Sequence, residues 1–252
     1  MLSKIIENKR KEVESSKKNF PLASFKNRLQ KSAKNFKKAI SKNKLNLIAE
    51  IKRSSPSHKN INQEVDLKNI VNVYNKYADA ISVLTDKKFF DGSLQDMKIV
   101  SNLTPLPILR KDFIIDEYQI YEARYFGADA ILLIASVLSL NEINNFIDIA
   151  KSLDMDCLAE AHDKGELDKV LNSKAEILGI NNRNLDTLEI DLNTTLKLMD
   201  KIPDGRIIVS ESGITSKDYL DKIKSKVNAV LVGTHFMRSS NPENDIKKFL
   251  IK

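Results

Sequence analysis

The chain has 252 residues, of which 42% are hydrophobic, so it is long enough and apolar enough to bury a large core. No apolar run approaches the roughly 18 residues that cross a bilayer. The charged N-terminus also lacks the apolar stretch of a signal peptide. We therefore expect a cytoplasmic protein that does not associate with membranes.

The formal net charge of +7 raises the question of a nucleic-acid partner. The lysines are spread along the chain, and only residues 1–44 are clearly basic. The chain has no tryptophan, and no aromatic residues alternate with a basic stretch. We therefore expect no nucleic-acid binding, whereas a basic balance fits a small anionic substrate.

Eight short apolar runs rich in Ile, Val and Leu predict strands that are covered on both faces. They span residues 45–51, 80–85, 106–112, 130–136, 155–161, 177–182, 206–212 and 228–233. The single cysteine, Cys157, lies in the fifth run; it excludes an intramolecular disulfide and is expected to be a small core residue.

Amphipathic helical patterns alternate with these strands. Helix starts are indicated where a capping residue is followed three positions later by an acidic residue, as in Ser139 with Glu142. The pairs Asp163 with Glu166 and Thr215 with Asp218 give similar signals.

The alternation implies parallel strands joined by right-handed βαβ units. Eight units predict a closed (β/α)₈ barrel, that is, a TIM barrel of the α/β class. The alternative is a doubly wound sheet, although no G-x-G-x-x-G follows the first strand. Residues 1–44 look helical and would extend the same single domain, 1–252, either capping the barrel or covering its site.

Polar residues stand at the ends of five predicted strands, where barrel enzymes place their sites. Glu50 and Lys52 are two residues apart, so they share one face of the first strand, and Lys111 faces away from Arg110 in the third. The remaining polar strand-end residues are Glu160, Asn181, Arg183 and Glu211. A buried ion pair would explain any one of these residues. Five strands that each place a polar side chain in the core would make a poor core, so a functional site is the better interpretation.

Two glycine-containing loops suggest a phosphate site. Ser212-Gly213 follows the seventh strand, and Gly233-Thr234 follows the eighth just before a predicted helical turn. Glycines let backbone amides approach an anion, and barrels often bind phosphate after these two strands. The histidines show no spacing typical of metal ligands, so no metal is expected, and no acyl-transfer motif is present.

Several motifs resemble one family over essentially the whole chain. They are AEIKRSSPS (49–57), LRKDFI (109–114), GADAILLIAS (127–136), LAEAH (158–162), LGINNRNL (178–185), VSESGI (209–214) and LVGTHFMR (231–238). Together they closely resemble the indole-3-glycerol-phosphate synthases of tryptophan biosynthesis. The resemblance implies a lyase that acts without a cofactor on a phosphorylated substrate, through ring closure, decarboxylation and dehydration. A monomer is expected, with an oligomer left open.

The resemblance also implies catalytic roles. Lys111 would be the principal general acid, and Lys52 would bind an anionic group of the substrate or share the acid role. Glu160 would be the base or the partner of Lys111. Glu50 would orient the lysines, and Asn181 would position the substrate.

For binding, the resemblance implies that Glu211, also counted as catalytic, and Ser212 line the sugar-phosphate end. Arg183 would lie beside the substrate, and the apolar slot for the aromatic ring would consist of Phe90, Phe113, Leu132 and Leu185. The remaining substrate and phosphate contacts would come from Ser55, Gly213, Gly233 and Thr234.

The chain departs from the family pattern at His58 and Lys59, and Thr234 stands where serine is common. Two alternatives stay open. One is another phosphate-binding barrel, such as the isomerase of the preceding step, which has no need of the Lys52, Lys111 and Glu160 set. The other is a basic binding protein without catalytic activity.

Overall fold

Eight parallel strands close into a barrel in the computed structural model, which describes residues 1–57 and 59–250. Each strand pairs with the next along the chain, and Asn46 of the first lies opposite Ala229 of the last. The strands are β1 Asn46–Ile51, β2 Ala80–Leu84, β3 Ile108–Lys111, β4 Ala130–Ile134, β5 Asp156–Ala161, β6 Ile177–Asn181, β7 Ile207–Glu211 and β8 Ala229–Val232. The predicted TIM barrel is therefore confirmed, and the doubly wound alternative is wrong.

Helices surround the barrel and connect its strands. They are α1 Leu2–Asn19, α2 Phe36–Ala39, α3 Leu67–Tyr77, α4 Lys87–Phe90, α5 Leu94–Leu103, α6 Glu117–Tyr125, α7 Leu140–Ser152, α8 Lys164–Leu171, α9 Asn193–Leu198, α10 Lys217–Ile223, α11 Thr234–Met237 and α12 Pro242–Leu250. Short 3₁₀ turns occupy Leu22–Ser24, Lys26–Arg28 and Met199–Lys201.

The predicted helix starts are confirmed in two of three places. Ser139 and Glu142 form the reciprocal capping box at α7, and Asp163 caps α8. The start at Thr215 is wrong by one residue, because the neighbouring Ser216 accepts the hydrogen bond from the backbone N–H of Tyr219.

Strand alternation divides the core into two layers. In β1, Leu47 and Ala49 pack outward against the helices, whereas Ile48 packs inside the barrel. Cys157 is buried in the outer layer, as predicted for a small core residue. Residues that alternate with Ile48 therefore point into the barrel, which is why Glu50 faces the interior.

The segment before β1 is helical only in part, since α1, α2 and two 3₁₀ turns are separated by irregular chain. Its longest helix, α1, lies against the barrel through a stripe of four buried residues, Leu2, Ile5, Lys9 and Val13. Leu2 and Ile5 join the apolar cluster inside the barrel, and Val13 packs with Phe25 and Tyr118. Helix α1 thus covers one side of the barrel at the carboxyl ends of the strands, whereas α2 contacts the start of β5 through the bond from the backbone N–H of Lys37 to Asp156.

Lys9 is a buried lysine in this otherwise apolar stripe, with 3% of its surface exposed. Its Nζ lies 2.8 Å from Asp86 Oδ2 and 2.8 Å from Asp112 Oδ1. Burial by itself would lower the pKa of Lys9, but the charges of Asp112 and Asp86 outweigh it and raise this pKa. The Lys9 cluster, defined as Lys9, Asp86, Asp112 and Arg110, therefore ties α1 to the ends of β2 and β3.

None of the described helices combines the length and the apolar character that crossing a membrane requires.

Candidate active site

A cavity of about 410 Å³ opens at the carboxyl ends of the strands, within the range of small-molecule sites. Every residue that the sequence analysis assigns to catalysis or binding lines it. These residues are Glu50, Lys52, Ser55, Phe90, Lys111, Phe113, Leu132, Glu160, Asn181, Arg183, Leu185, Glu211, Ser212, Gly213, Gly233 and Thr234. The structure brings together all the predicted positions, while their individual roles stay predictions.

Lys111 is the centre of the polar part of the cavity. Its Nζ lies 2.9 Å from Glu160 Oε2 and 3.1 Å from Glu211 Oε2. The three residues come from β3, β5 and β7, and their side chains meet because alternate strands contribute to the same layer inside a barrel. We call Lys111, Glu160 and Glu211 the Lys111 cluster.

Asn181 extends this cluster at the end of β6. Its Nδ2 donates to Glu160 Oε1 at 3.0 Å, so both oxygens of that carboxylate are engaged. Its Oδ1 accepts from the backbone N–H of Arg183 at 2.9 Å, which fixes the orientation of the amide. Asn181 therefore couples the Glu160 carboxylate to the start of the loop after β6.

A second lysine lies on the other side of the cavity. Lys52 Nζ contacts Glu50 Oε1 at 2.7 Å, as expected for two residues on one face of β1. The Glu50 carboxylate lies against Gly233, and a Cβ atom at that position would collide with it. Gly179 leaves room for the Glu211 carboxylate in the same way.

One carboxyl group of the Lys111 cluster, that of Glu211, has a pKa far from its ordinary value. Burial raises the pKa of Glu211 to about 8, assisted by the charge of Glu160 and opposed by Lys111. Burial would lower the pKa of Lys111, but the charges of Glu160 and Glu211 raise it above the ordinary value. Burial therefore favours the protonated form of Glu211 beside the Lys111 ammonium.

One end of the cavity is apolar. The rings of Phe90 and Phe113 lie 6.1 Å apart, and Leu132 and Leu185 belong to the same apolar cluster. Leu2 and Ile5 of α1, which were not predicted as site residues, also line the cavity here. The signal was present, because Leu2, Ile5 and Val13 follow helical spacing, but the sequence did not show which strands that stripe would meet.

The opposite end combines the two glycine-containing loops with the guanidinium group of Arg238. Ser212 and Gly213 both have positive φ, and α11 begins directly after Gly233. The loops are adjacent because β7 pairs with β8. Arg238, which the sequence analysis did not single out, lines this part of the cavity, as does His235.

Arg183 connects two loops at the rim. Its NH1 donates to Ser57 Oγ at 3.1 Å and to the carbonyl oxygen of Leu188 at 2.8 Å. Burial lowers its pKa, with the charge of Glu50 acting in the opposite direction. The departure noted at His58 lies outside the described residues. Among residues 1–57 and 59–250, no group of three or more His, Cys, Asp or Glu side chains is placed to hold a metal ion.

A closed (β/α)₈ barrel with lysine and glutamate side chains in a cavity at its strand ends has the architecture of the barrel enzymes that act on small molecules. Comparison with known proteins gives the family. Residues 2–249 match the model of the indole-3-glycerol phosphate synthase family. The chain belongs to this family, and it is an enzyme of tryptophan biosynthesis.

Individual relatives agree with this assignment. An indole-3-glycerol phosphate synthase of Thermoanaerobacter pseudethanolicus is 42% identical over 253 residues, covering 99% of this chain and 97% of that protein. A tryptophan biosynthesis protein TrpCF of Buchnera aphidicola subsp. Diuraphis noxia is 42% identical over 251 residues, covering 100% of this chain and 55% of that protein.

Solved structures share the fold at low sequence identity. The 3-hexulose-6-phosphate synthase of Salmonella typhimurium superposes with a TM-score of 0.64 at 17% identity, covering 81% of this chain and 96% of that one. This likeness supports the barrel architecture alone.

Proposed function

We propose that the chain is a carbon–carbon lyase that converts 1-(2-carboxyphenylamino)-1-deoxy-D-ribulose 5-phosphate to indole-3-glycerol phosphate. The observation that carries the proposal is the Lys111 ammonium, held between Glu160 and Glu211 in a cavity with an apolar end and a cationic end. The substrate has a matching distribution of groups, with an aromatic ring at one end and a phosphate at the other.

The first step is ring closure. The ring carbon that bears the carboxylate forms a bond to the ketone carbon, and the carbonyl electrons move onto oxygen. Lys111 donates a proton to that oxygen as general acid, because a hydroxyl product is far more stable than an alkoxide in a buried site. Glu160 keeps the ammonium directed toward the cavity through its contact at 2.9 Å.

Decarboxylation follows, since loss of carbon dioxide returns the bonding electrons to the six-membered ring. The new hydroxyl group then accepts a proton and leaves as water, and a base removes the proton whose loss makes the five-membered ring aromatic. Glu160 acts as this base, and Glu211, whose pKa is raised by burial, is a further proton source within the same cluster.

The remaining predicted residues bind the substrate. Lys52, oriented by Glu50, supplies a second cation for its anionic groups, and Asn181 and Arg183 position it. The aromatic ring lies in the slot of Phe90, Phe113, Leu132 and Leu185, where ordinary apolar burial stabilises it. Ser55, Ser212, Gly213, Gly233 and Thr234 contact the sugar-phosphate end.

We further propose that the chain acts as a monomer in the cytoplasm, and as one domain with the segment before β1 as its extension. The cavity supports the monomer, since residues of this one chain supply both the charged cluster and the apolar slot.

The test is direct turnover. Purified protein mixed with the carboxyphenylamino-ribulose phosphate, without added metal or cofactor, is expected to form indole-3-glycerol phosphate and one carbon dioxide per product, followed by indole absorbance and fluorescence. Phosphoribosylanthranilate, the substrate of the isomerase alternative, should remain unchanged. A folded sample that leaves the first substrate intact would overturn the proposal.

A further inference from the structure

His162 follows β5 directly and sits behind the polar wall of the active site. The described residues that line the cavity do not include it, so it does not reach a bound substrate. It is half-buried and lies two residues beyond Glu160. The pairing of β5 with β6 ends where Ala161 lies opposite Ile180, so His162 is placed next to Asn181.

The hydrogen bonds of His162 define the state of its ring. Its Nδ1 lies 2.9 Å from the carbonyl oxygen of Asn181. Because a carbonyl oxygen only accepts, the hydrogen of the ring must be on Nδ1. The other nitrogen, Nε2, then accepts from the side-chain amide of Asn184 at 3.3 Å.

The orientation of the Asn184 amide agrees with this assignment. Its Oδ1 already accepts from the backbone N–H groups of Asp186 at 2.8 Å and Thr187 at 3.0 Å. Turning the amide over would break both bonds, so the amide nitrogen must face His162. The ring therefore carries a hydrogen on Nδ1, and each of its two nitrogens has a partner.

The two partners belong to different parts of the site. Asn181 donates to Glu160, which contacts Lys111, so the Nδ1 bond supports the groups that move protons. Asn184 closes the loop after β6 through backbone bonds with Glu189 at 2.9 Å and with Leu188 at 2.9 Å. That loop carries cavity-lining residues toward the substrate, so the Nε2 bond supports binding.

We propose that His162 is a positioning residue for both functions of the site. Its Nδ1 hydrogen holds Asn181, and through it Glu160, while its Nε2 holds the loop that brings Arg183 and Leu185 to the cavity. The inference rests on the proposed function, because kcat and KM are those of the proposed reaction.

The two contacts can be separated by substitution. In His162→Asn the amide group reaches the position of Nδ1 but not that of Nε2, whereas in His162→Gln it reaches the position of Nε2. His162→Asn is expected to keep kcat within about threefold and to raise KM about tenfold, since one lost hydrogen bond costs roughly a factor of ten. His162→Gln is expected to show the reverse, with kcat about tenfold lower and KM nearly unchanged.

His162→Leu removes both contacts and should change both parameters. Thr187→Val is the matched control, because it removes a hydroxyl contact with Glu189 at the exposed tip of the same loop. It should leave kcat and KM within about twofold. Each variant is compared with wild type by circular dichroism, so that loss of folded protein is not counted as loss of activity.

Three results would overturn the inference while wild-type turnover is normal. The first is equal changes of kcat and KM in His162→Asn and His162→Gln. The second is unchanged values in all the His162 variants. The third is a ¹⁵N spectrum in which the hydrogen of the His162 ring is on Nε2 rather than Nδ1. Absence of wild-type turnover would instead count against the proposed function.

Discussion

Two lysines, Lys9 of α1 and Lys111 of β3, lie on opposite sides of the end of β3 and have different surroundings. Lys111 points into the barrel toward Glu160 and Glu211, while the next residue, Asp112, points outward and binds Lys9. The Lys9 side chain is 4% exposed, whereas the Lys111 side chain is 14% exposed, toward the cavity. The same residue types thus form one closed cluster and one open cluster.

The two clusters differ most clearly in the pKa values of Asp112 and Glu211. In the Lys9 cluster, burial would raise the pKa of Asp112, but Lys9 and Arg110 lower it below the ordinary range, and Thr85 Oγ1 donates to it at 2.6 Å. In the Lys111 cluster, burial raises the pKa of Glu211, and its Oε1 has no hydrogen-bond partner among the described residues. The second carboxyl group of the Lys9 cluster, Asp86, also has a pKa raised by burial, so the contrast is between Asp112, which two cations keep ionised, and Glu211, whose protonated form burial favours.

The comparison predicts its largest effect at Lys111. Lys111→Met removes the ammonium but keeps an apolar chain of similar length, so kcat should fall by about 10²–10⁴-fold while the protein remains folded. Steady-state turnover and circular dichroism measure the two quantities. Near-normal turnover would show that the acid is another group.

Lys9→Met is the same substitution in the closed cluster, and it should have the opposite profile. It leaves Asp86 buried without its cation and Asp112 with Arg110 alone, so the free energy of unfolding should fall by about 3–5 kcal/mol. Urea denaturation measures this loss, and kcat per folded molecule should stay within a few-fold of wild type.

Lys17→Met is the matched control for that variant. Lys17 also joins α1 to the barrel, through Asp116 at 2.6 Å, but both side chains are substantially exposed. Removing it should cost no more than about 1 kcal/mol. Equal losses of unfolding free energy at Lys9 and Lys17 would mean that the buried Lys9 cluster stabilises the fold no more than an exposed ion pair does.

Apart from the Lys17 control, the smallest expected effect is a pH dependence of stability at Glu211. Its folded-state pKa is about 8, above the ordinary value of 4.5, so between these values the folded protein binds a proton that the unfolded chain has released. Stability from this group is therefore present at low pH and lost as pH rises toward 8. Lys111 does not titrate in this window, because its pKa is raised above its ordinary value.

Glu211→Gln should remove this dependence. Between pH 5 and pH 8, wild type should lose about 1–3 kcal/mol more unfolding free energy than the variant, measured by urea denaturation at each pH. Parallel curves for the two proteins would show that Glu211 is ionised throughout the range.

The sequence predicted the barrel because its strands are long apolar runs, and it predicted the cavity because charged residues end those runs. Each observed strand lies within two residues of its predicted bounds. It did not predict α4, because four residues are too few to show a helical period, although this helix carries Phe90 into the apolar slot.

The buried partners were harder to predict for a different reason. Lys9 occupies the helical stripe of Leu2, Ile5 and Val13, but a lysine in a lysine-rich helix is normally exposed. Its burial depends on Asp86 and Asp112, which are distant in the chain. His162 likewise depends on a backbone carbonyl oxygen, which no side-chain pattern can reveal.

Closure of the barrel also bears on how the site assembles during folding. The side chain of Glu50 in β1 packs against Gly233, which follows β8. This part of the cavity therefore exists only after β1 and β8 have paired. Contacts between such remote segments carry a large loop-closure cost and form late. An intermediate in which β8 has not docked would have most of its helices and strands, yet its Glu50 carboxylate would still be hydrated and the enzyme would be inactive.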